Sequence, residues 1–251
     1  MTASHWRQIA SVLGLLLAWQ VLVQAGHINA LFLPSPLSVL GAMWQMTRSG
    51  ELPWAVLVSL NRVGQGFVYG AAAGVVLGLL AGAIRWVEDL LDPWVAAVYP
   101  IPKSALFPLF LLWFGLGNPS KIVTIAVGVL FLVLVNTMTG VRSINPTLLK
   151  AARDLGASRL QIFTKVILPG ALPNVFTGLR LGAGMALILV FITEIEATRA
   201  GLGFLLWEAF QLMDTRHVFV GVVTFGLLGV VTTWMLQWLE RVACPWLQRS
   251  N

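Results

Sequence analysis

The sequence predicts an all-α polytopic membrane protein with six transmembrane helices and one long cytoplasmic loop. Of its 251 residues, 58% are hydrophobic and only 10% are charged, and the mean hydropathy is +0.84. Soluble domains carry about a quarter charged residues, so a soluble chain of this composition would lack the polar side chains to cover its surface. Apolar stretches long enough to cross a bilayer also recur along the chain.

The predicted spans form a single domain over residues 1–251. With the amino terminus inside, six crossings place both termini in the cytoplasm, and the outer connection 27–58 holds the proline-broken run LPSPLSVL (33–40). An amphipathic piece at 42–46 suits the membrane interface. The spans cover residues 9–26, 60–84, 94–115, 122–140, 176–197 and 218–239.

The second span carries five glycines, each four residues from the next. Such a row stays close to one helix face, and small residues on one face let two helix backbones approach closely in lipid. We therefore predict a helix-packing face, directed either to another helix of the same subunit or to a second copy. The glycines are Gly66, Gly70, Gly74, Gly78 and Gly82.

The third span contains Lys103 between prolines, with Pro100 and Pro102 before it and Pro108 after it. Prolines this close together break or kink a helix unless its neighbours satisfy the freed backbone groups. A lysine at membrane depth faces a protein interior or a watery cavity, or its ammonium extends to the interface. Both alternatives are open, and Lys103 is our candidate for attracting an anion along the path.

Two acids lie near the outer end of the fifth span. Glu194 and Glu196 are two residues apart, so they do not share a helix face. A carboxylate beside the path would repel an anion. We therefore interpret Glu194 as a gate or packing partner of an arginine, such as Arg180 or Arg199 of a paired chain, with a simple interfacial position as the alternative.

The loop 141–175 predicts two short capped helices. Asn145 and Pro146 suit a helix start, Gly156 a left-handed helix end, and Ser158 with Gln161 a capping box. The second helix is predicted to stop at Leu168-Pro169. Basic residues dominate the loop and place it in the cytoplasm; they are Arg142, Lys150, Arg153, Arg159 and Lys165, against the single acid Asp154.

The first of these helices is too short to be stable alone in water. A helix with small side chains either inserts into the groove of a partner or packs back on its own bundle. From the residues alone, both remain open.

Several function classes are excluded by composition and motifs. The net charge is +6, yet no basic run is interleaved with aromatic residues, so we expect no nucleic-acid partner. The single Cys244 excludes a multi-cysteine metal site, and we expect no metal. No GxSxG, HExxH or GxxxxGK[ST] motif occurs. We therefore expect no catalytic residues and no ATP site of its own.

A family resemblance gives the loop a role. Ala151-Ala152, three residues, Gly156, nine residues and Val166-Ile167-Leu168-Pro169 resemble the Glu-Ala-Ala loop of ABC importer permeases. Lys150 stands where that family has glutamate, so a contact through that carboxylate is in doubt, and Val166 replaces isoleucine. The resemblance implies that the loop couples the chain to an ATPase; the coupling residues are Lys150, Ala151, Ala152, Leu155, Gly156, Ala157 and Pro169.

Four further runs, at 33–40, 112–121, 167–182 and 193–203, resemble the nitrate/sulfonate/taurine group of these permeases. The resemblance implies a type I ABC importer fold in a bacterial inner membrane, and a pathway for nitrate, an alkanesulfonate, taurine or a similar solute. It also implies two ATP-binding subunits that hold ATP and Mg²⁺, an external substrate-binding protein and a second permease copy, expected to form a homodimer. No cofactor is expected on this chain.

The competing interpretation is a secondary transporter or channel that uses Lys103, Glu194 and Glu196 as a charge pathway. Such transporters usually show internal repeats, and none is seen in this sequence. A membrane enzyme is disfavoured because no reactive constellation occurs.

Overall fold

The computed structural model describes residues 3–26, 28–29 and 31–246, and these are helical with no strand. A 3-10 turn (Lys103–Leu106) precedes α5 and a π-helical turn (Phe163–Ile167) precedes α9. This confirms the predicted all-α fold class. In chain order the helices are α1 (Ala3–Gln24), α2 (Pro36–Ser49), α3 (Glu51–Ala83), α4 (Arg85–Val98), α5 (Phe107–Phe114), α6 (Asn118–Arg142), α7 (Pro146–Asp154), α8 (Arg159–Ile162), α9 (Leu168–Ala197), α10 (Leu202–Gln211) and α11 (Thr215–Ala243).

Four continuous helical segments of the described chain are long and apolar enough to cross a membrane. A fifth crossing is possible if α4 and the segment Lys103–Phe114, bent by 91° to each other, form one broken span. The apolar part of α1, Leu13–Gln24, is shorter. A total of six spans therefore stays a prediction. The four segments are Glu51–Ala83, Asn118–Arg142, Arg159–Ala197 and Thr215–Ala243.

The chain divides into two compact units. The first combines the chain up to Ser59 with Thr198–Gly226. In it, the Ser35 hydroxyl accepts a hydrogen bond from the Ser38 N–H and caps α2. The start of α10 is fixed by the Leu202 N–H, which donates to the buried Ser59 hydroxyl at 2.8 Å.

The second unit combines Leu60–Ala197 with the chain from Leu227 onward, and α6 with α9 forms its centre. Buried branched side chains such as Val133 of α6 and Val190 of α9 fill this core. Gly178 lets the two backbones approach, because a Cβ there would lie 3.1 Å from the Cα of Val133.

The predicted third span, 94–115, is broken. Residues 85–92, which lie between the second and third predicted spans, belong to α4. Pro100 and Pro102 lie in the break, where neither has an N–H to continue the helix. The second predicted span also begins earlier, at Glu51 instead of residue 60.

The loop 141–175 agrees with its predicted caps but not with its predicted end. Asn145 accepts from the Thr147 N–H, and Ser158 with Gln161 forms a capping box. The stop at Leu168-Pro169 was wrong: Pro169 lies in the first turn of α9, directly after the π-helical turn. A proline fits there because the changed hydrogen-bond register relieves the need for its missing N–H.

Candidate functional site

The helix α7 lies on the surface with no buried residue. Leu148 is 58% exposed and Leu155, directly after the helix, is 88% exposed. These leucines are seven positions apart, so they share one helix face. The described part of the chain therefore presents a short helix whose apolar face is left to solvent.

The carboxyl end of α7 is closed by Gly156, which has a φ of +80°. The Gly156 N–H donates to the Arg153 carbonyl at 2.9 Å, and the Ala157 N–H donates to the Ala152 carbonyl at 3.0 Å. Only glycine adopts this left-handed backbone at little cost. The turn that ends α7 is therefore fixed by the backbone itself.

The predicted coupling residues fall on two elements. Lys150, Ala151, Leu155 and Gly156 are exposed, and Ala152 and Ala157 are half-buried, all within α7 and the turn after it. Pro169 is half-buried at the start of α9. The structure thus brings the first six together as one surface element and places Pro169 apart from them, in α9.

A buried ion pair joins α3 to α9. Arg62 Nη1 donates to Glu194 Oε1 at 2.6 Å, with side chains 6% and 0% exposed. Arg62 Nε donates to Asn118 Oδ1 at 2.9 Å, which brings in the first residue of α6. In water-excluded surroundings such a pair holds its helices together because neither charge has another low-energy environment.

Within the described chain, the arginine that pairs with Glu194 is Arg62, whereas Arg180 pairs with Glu240 at 3.1 Å. A contact of Glu194 with an arginine of a paired chain stays a prediction. Sequence reasoning missed Arg62 because the residues are 132 positions apart. The signal was an arginine inside an apolar span, since such a charge needs a counter-charge.

Lys121 is a second buried cation that sequence reasoning missed. It is 1% exposed, and its ammonium donates to the carbonyls of Leu116 and Gly117 at 2.8 and 3.0 Å. Its side chain therefore supplies hydrogen-bond donors to the backbone carbonyls just before α6. The sequence did contain a signal for this contact: Lys121 lies in the first turn of a helix that follows a glycine-containing loop, where free carbonyls are expected.

Lys103 supplies hydrogen bonds to the backbone carbonyls at the break after α4. Its ammonium donates to the carbonyls of Val98, Tyr99 and Ile101 at 2.7, 3.0 and 2.8 Å. It also lies 5.1 Å from the ring centroid of Phe131. An ammonium has three hydrogens, and each has a backbone acceptor here. Its role in attracting an anion stays a prediction.

The glycine row of α3 faces α6 of the same chain. A Cβ on Gly66 would lie 2.6 Å from Ile125 Cβ, and one on Gly74 would lie 2.7 Å from the Leu130 carbonyl oxygen. Real Cβ atoms do not approach other atoms so closely, so only glycine fits. An added Cβ would also be too close to α6 at the other three glycines of the row: to Ala126 from Gly70, to Thr137 from Gly78 and to Val141 from Gly82.

The profile of the family described as binding-protein-dependent transport system inner membrane component matches residues 74–242. This stretch is more than half of the chain. The chain belongs to this family. Its members are transport permeases, so the chain is a permease and a multi-pass membrane protein.

Relatives of the permease extend over most of its length. A putative aliphatic sulfonates transport permease of Bacillus subtilis is 36% identical and covers 91% of this chain and 83% of its own. The taurine transport system permease of Escherichia coli is 32% identical, with 96% and 90% covered. A bicarbonate transport system permease of Synechococcus elongatus is 31% identical, with 98% and 93% covered.

Two solved structures share the fold of the permease. An amino acid ABC transporter crystallised with histidines has a TM-score of 0.63 at 17% identity, covering 74% of this chain and 91% of its own. An inward-facing MetNI methionine ABC transporter has a TM-score of 0.56 at 20% identity, covering 78% and 96%. These matches confirm the predicted ABC importer permease fold.

The family confirms the predicted function as an ABC transport permease, and it does not favour a secondary transporter or channel. The contacts also do not support a charge pathway through Lys103 and Glu194, because the two side chains have different partners. Lys103 donates to backbone carbonyls, and Glu194 pairs with Arg62. Glu196 is exposed.

Proposed function

We propose that the permease forms the path of an importer for a small anion or small polar organic solute, such as nitrate, an alkanesulfonate or taurine. Relatives named for sulfonates, taurine and bicarbonate support this class of solute. The solute would arrive on an external substrate-binding protein. Two permease copies, expected to be identical, would enclose the path.

The observation that carries the coupling part of this proposal is the exposed apolar face of α7. No residue of α7 is buried, and Leu155 is 88% exposed. An isolated helix of nine residues is unstable in water, and an amphipathic helix of this kind is stabilised by insertion into a hydrophobic groove. We assign that groove to a cytoplasmic ATPase, one for each permease copy.

ATP and Mg²⁺ would be held by these ATPases. The sequence has no GxxxxGK[ST] loop to cradle phosphates. ATP binding would draw the two ATPases together, move the α7 helices with them and open the spans outward. Hydrolysis would return the path to the inside, which is alternating access.

Lys150 makes this coupling different from the family pattern. It is exposed on α7 where related permeases have glutamate. Docking would therefore depend on Leu148, Leu155 and the turn at Gly156, and on no carboxylate at this position. By the positive-inside rule, the basic loop would hold α7 in the cytoplasm, and with six crossings both termini would lie there as well.

The proposal is tested by reconstituting the permease in liposomes with and without the ATPase encoded beside it. We expect the ATPase to co-purify and ATP-dependent uptake to require it together with the binding protein. Uptake that persists without any ATPase contradicts the proposal. The solute itself is identified by a thermal-shift screen of the neighbouring binding protein.

A further inference from the structure

A cavity of 890 Å³ lies between the end of α3 and the segment from α7 to the π-helical turn. Its volume is within the range of small-molecule sites, about 300–1,000 Å³. Most of its wall is apolar. The larger apolar side chains in that wall are Leu79, Leu80, Ile84, Ile162, Phe163 and Ile167.

Two arginines complete the lining, Arg153 of α7 and Arg159 of α8. No acidic residue lines the cavity, and no ion pair among the described residues engages either guanidinium. Guanidinium groups bind phosphate oxygens in bidentate fashion. The cavity therefore combines a site for an anionic group with a wall for hydrocarbon.

One span end indicates the position of the cavity along the spans. Ala83, in the wall, is the last residue of the membrane-spanning segment Glu51–Ala83 and lies at the end of the predicted second span. Arg153 and Arg159 belong to the basic loop 141–175, so the cavity lies between the inner end of this span and that loop. Basic pockets at this depth suit lipid head groups.

We propose that this cavity binds an anionic phospholipid. Its phosphate lies between Arg153 and Arg159, and the upper parts of its acyl chains lie along the apolar wall. Another candidate occupant is the apolar helix α1 of a second permease copy. It fits less well, because α1 has no acidic residue to pair with the two arginines. A water-soluble partner fits less well too, because the apolar wall, which includes the last turn of α3, would have no hydrocarbon to cover it.

Such a lipid would also restrain the coupling segment. Arg153 is five positions from Leu148, so it projects about 140° away from the exposed leucine face of α7. One face of α7 is thus available to the ATPase while the other contacts the lipid. The inference does not depend on which solute the permease carries.

Native mass spectrometry of the permease, purified with its ATPase and delipidated, tests this directly. Phosphatidylglycerol and phosphatidylcholine with identical acyl chains are added back at equal concentration, and we expect retention of the first. Arg153→Gln and Arg159→Gln should each weaken that retention about fivefold, the effect of one basic residue at a lipid surface. Lys165→Gln removes the same charge from the same segment outside the cavity lining, and should change nothing.

A second variant tests the wall instead of the charge. Ala83→Trp fills the cavity from an exposed position, so we expect folding to persist and phosphatidylglycerol retention to fall. Glycerol phosphate, which has the head group without chains, should not displace the lipid. Displacement by it, or equal loss in Lys165→Gln, overturns the proposal. So does loss of the ATPase in the arginine variants with lipid retention unchanged.

Discussion

Arg62 and Glu194 form an ion pair at 2.6 Å with both side chains almost completely buried. The two residues come from α3 and α9, and Arg62 also binds Asn118 at the start of α6. Three membrane-spanning segments are thus joined at one point through the Arg62 guanidinium. Since charges in such surroundings are costly without a partner, this contact strongly constrains how the three segments pack.

Removing one partner of this pair should destabilise the permease strongly. Arg62→Gln or Glu194→Gln leaves a buried charge without this counter-charge, which costs about 3–5 kcal/mol in the free energy of unfolding. The double variant should cost less than the sum of the two, because it leaves neither charge uncompensated. Unfolding of the purified permease in mixed detergent micelles measures all three.

The matched control is Arg180→Gln. Its pair with Glu240 is partly exposed, with side chains 33% and 18% accessible, so we expect a loss below about 1 kcal/mol. Two outcomes would contradict a stabilising role for the pair of Arg62 and Glu194. One is a loss of unfolding free energy in the double variant equal to the sum of the single losses, and the other is single losses as small as that of Arg180→Gln.

Local features were predictable from the sequence, and distant contacts were not. The caps at Asn145 and Ser158 depend on residues two or three positions away, and both were predicted. The ion pair depends on residues 132 positions apart, and nothing in one sequence specifies that distance. Pro169 was misjudged because a stop and a first-turn proline look identical until the π-helical turn before it is known.

Gly156→Val should uncouple the permease from its ATPase. The φ of +80° at Gly156 is strained for a β-branched residue, at a cost of roughly 1–2 kcal/mol. No atom lies within 4 Å of the added Cβ, so the spans should stay folded while the turn after α7 changes. Substrate-stimulated ATP hydrolysis in proteoliposomes should fall several-fold.

Gly156→Asn is the control for this position. Asparagine tolerates the left-handed region better than other side chains, so it adds bulk while keeping the turn. We expect near-normal coupling. Full coupling in the valine variant, or equal loss in both variants, would show that the backbone of this turn does not matter.

The contact between α3 and α6 predicts that glycines of α3 differ sharply in how much stability is lost when they are replaced by alanine. Gly74→Ala brings a Cβ to within 2.7 Å of the Leu130 carbonyl oxygen, so the helices must separate, at about 1–3 kcal/mol. Gly64→Ala adds the same atom at an exposed site with nothing within 4 Å. It should instead be neutral or stabilise by up to about 1 kcal/mol. Comparing the two unfolding midpoints tests the packing, and similar midpoints would contradict it.

Lys103 is open to two explanations that one variant separates. Lys103→Met keeps an unbranched side chain one atom shorter than lysine and removes the three hydrogen bonds to the carbonyls of Val98, Tyr99 and Ile101. Hydrogen bonds that involve a charged group contribute about 1.5–3 kcal/mol, so we expect a lower unfolding midpoint. Lys165→Met, at an exposed position, controls for the lost charge.

Transport kinetics decide whether Lys103 also attracts the solute. If its role is to hold the break after α4, maximal uptake falls with stability while KM changes little, because its hydrogens are already engaged. A KM raised several-fold at unchanged stability would contradict this and support the predicted role in drawing an anion along the path. Measuring uptake and unfolding on the same preparation separates the two outcomes, since a partly unfolded sample lowers the rate without altering the KM of the molecules that remain folded.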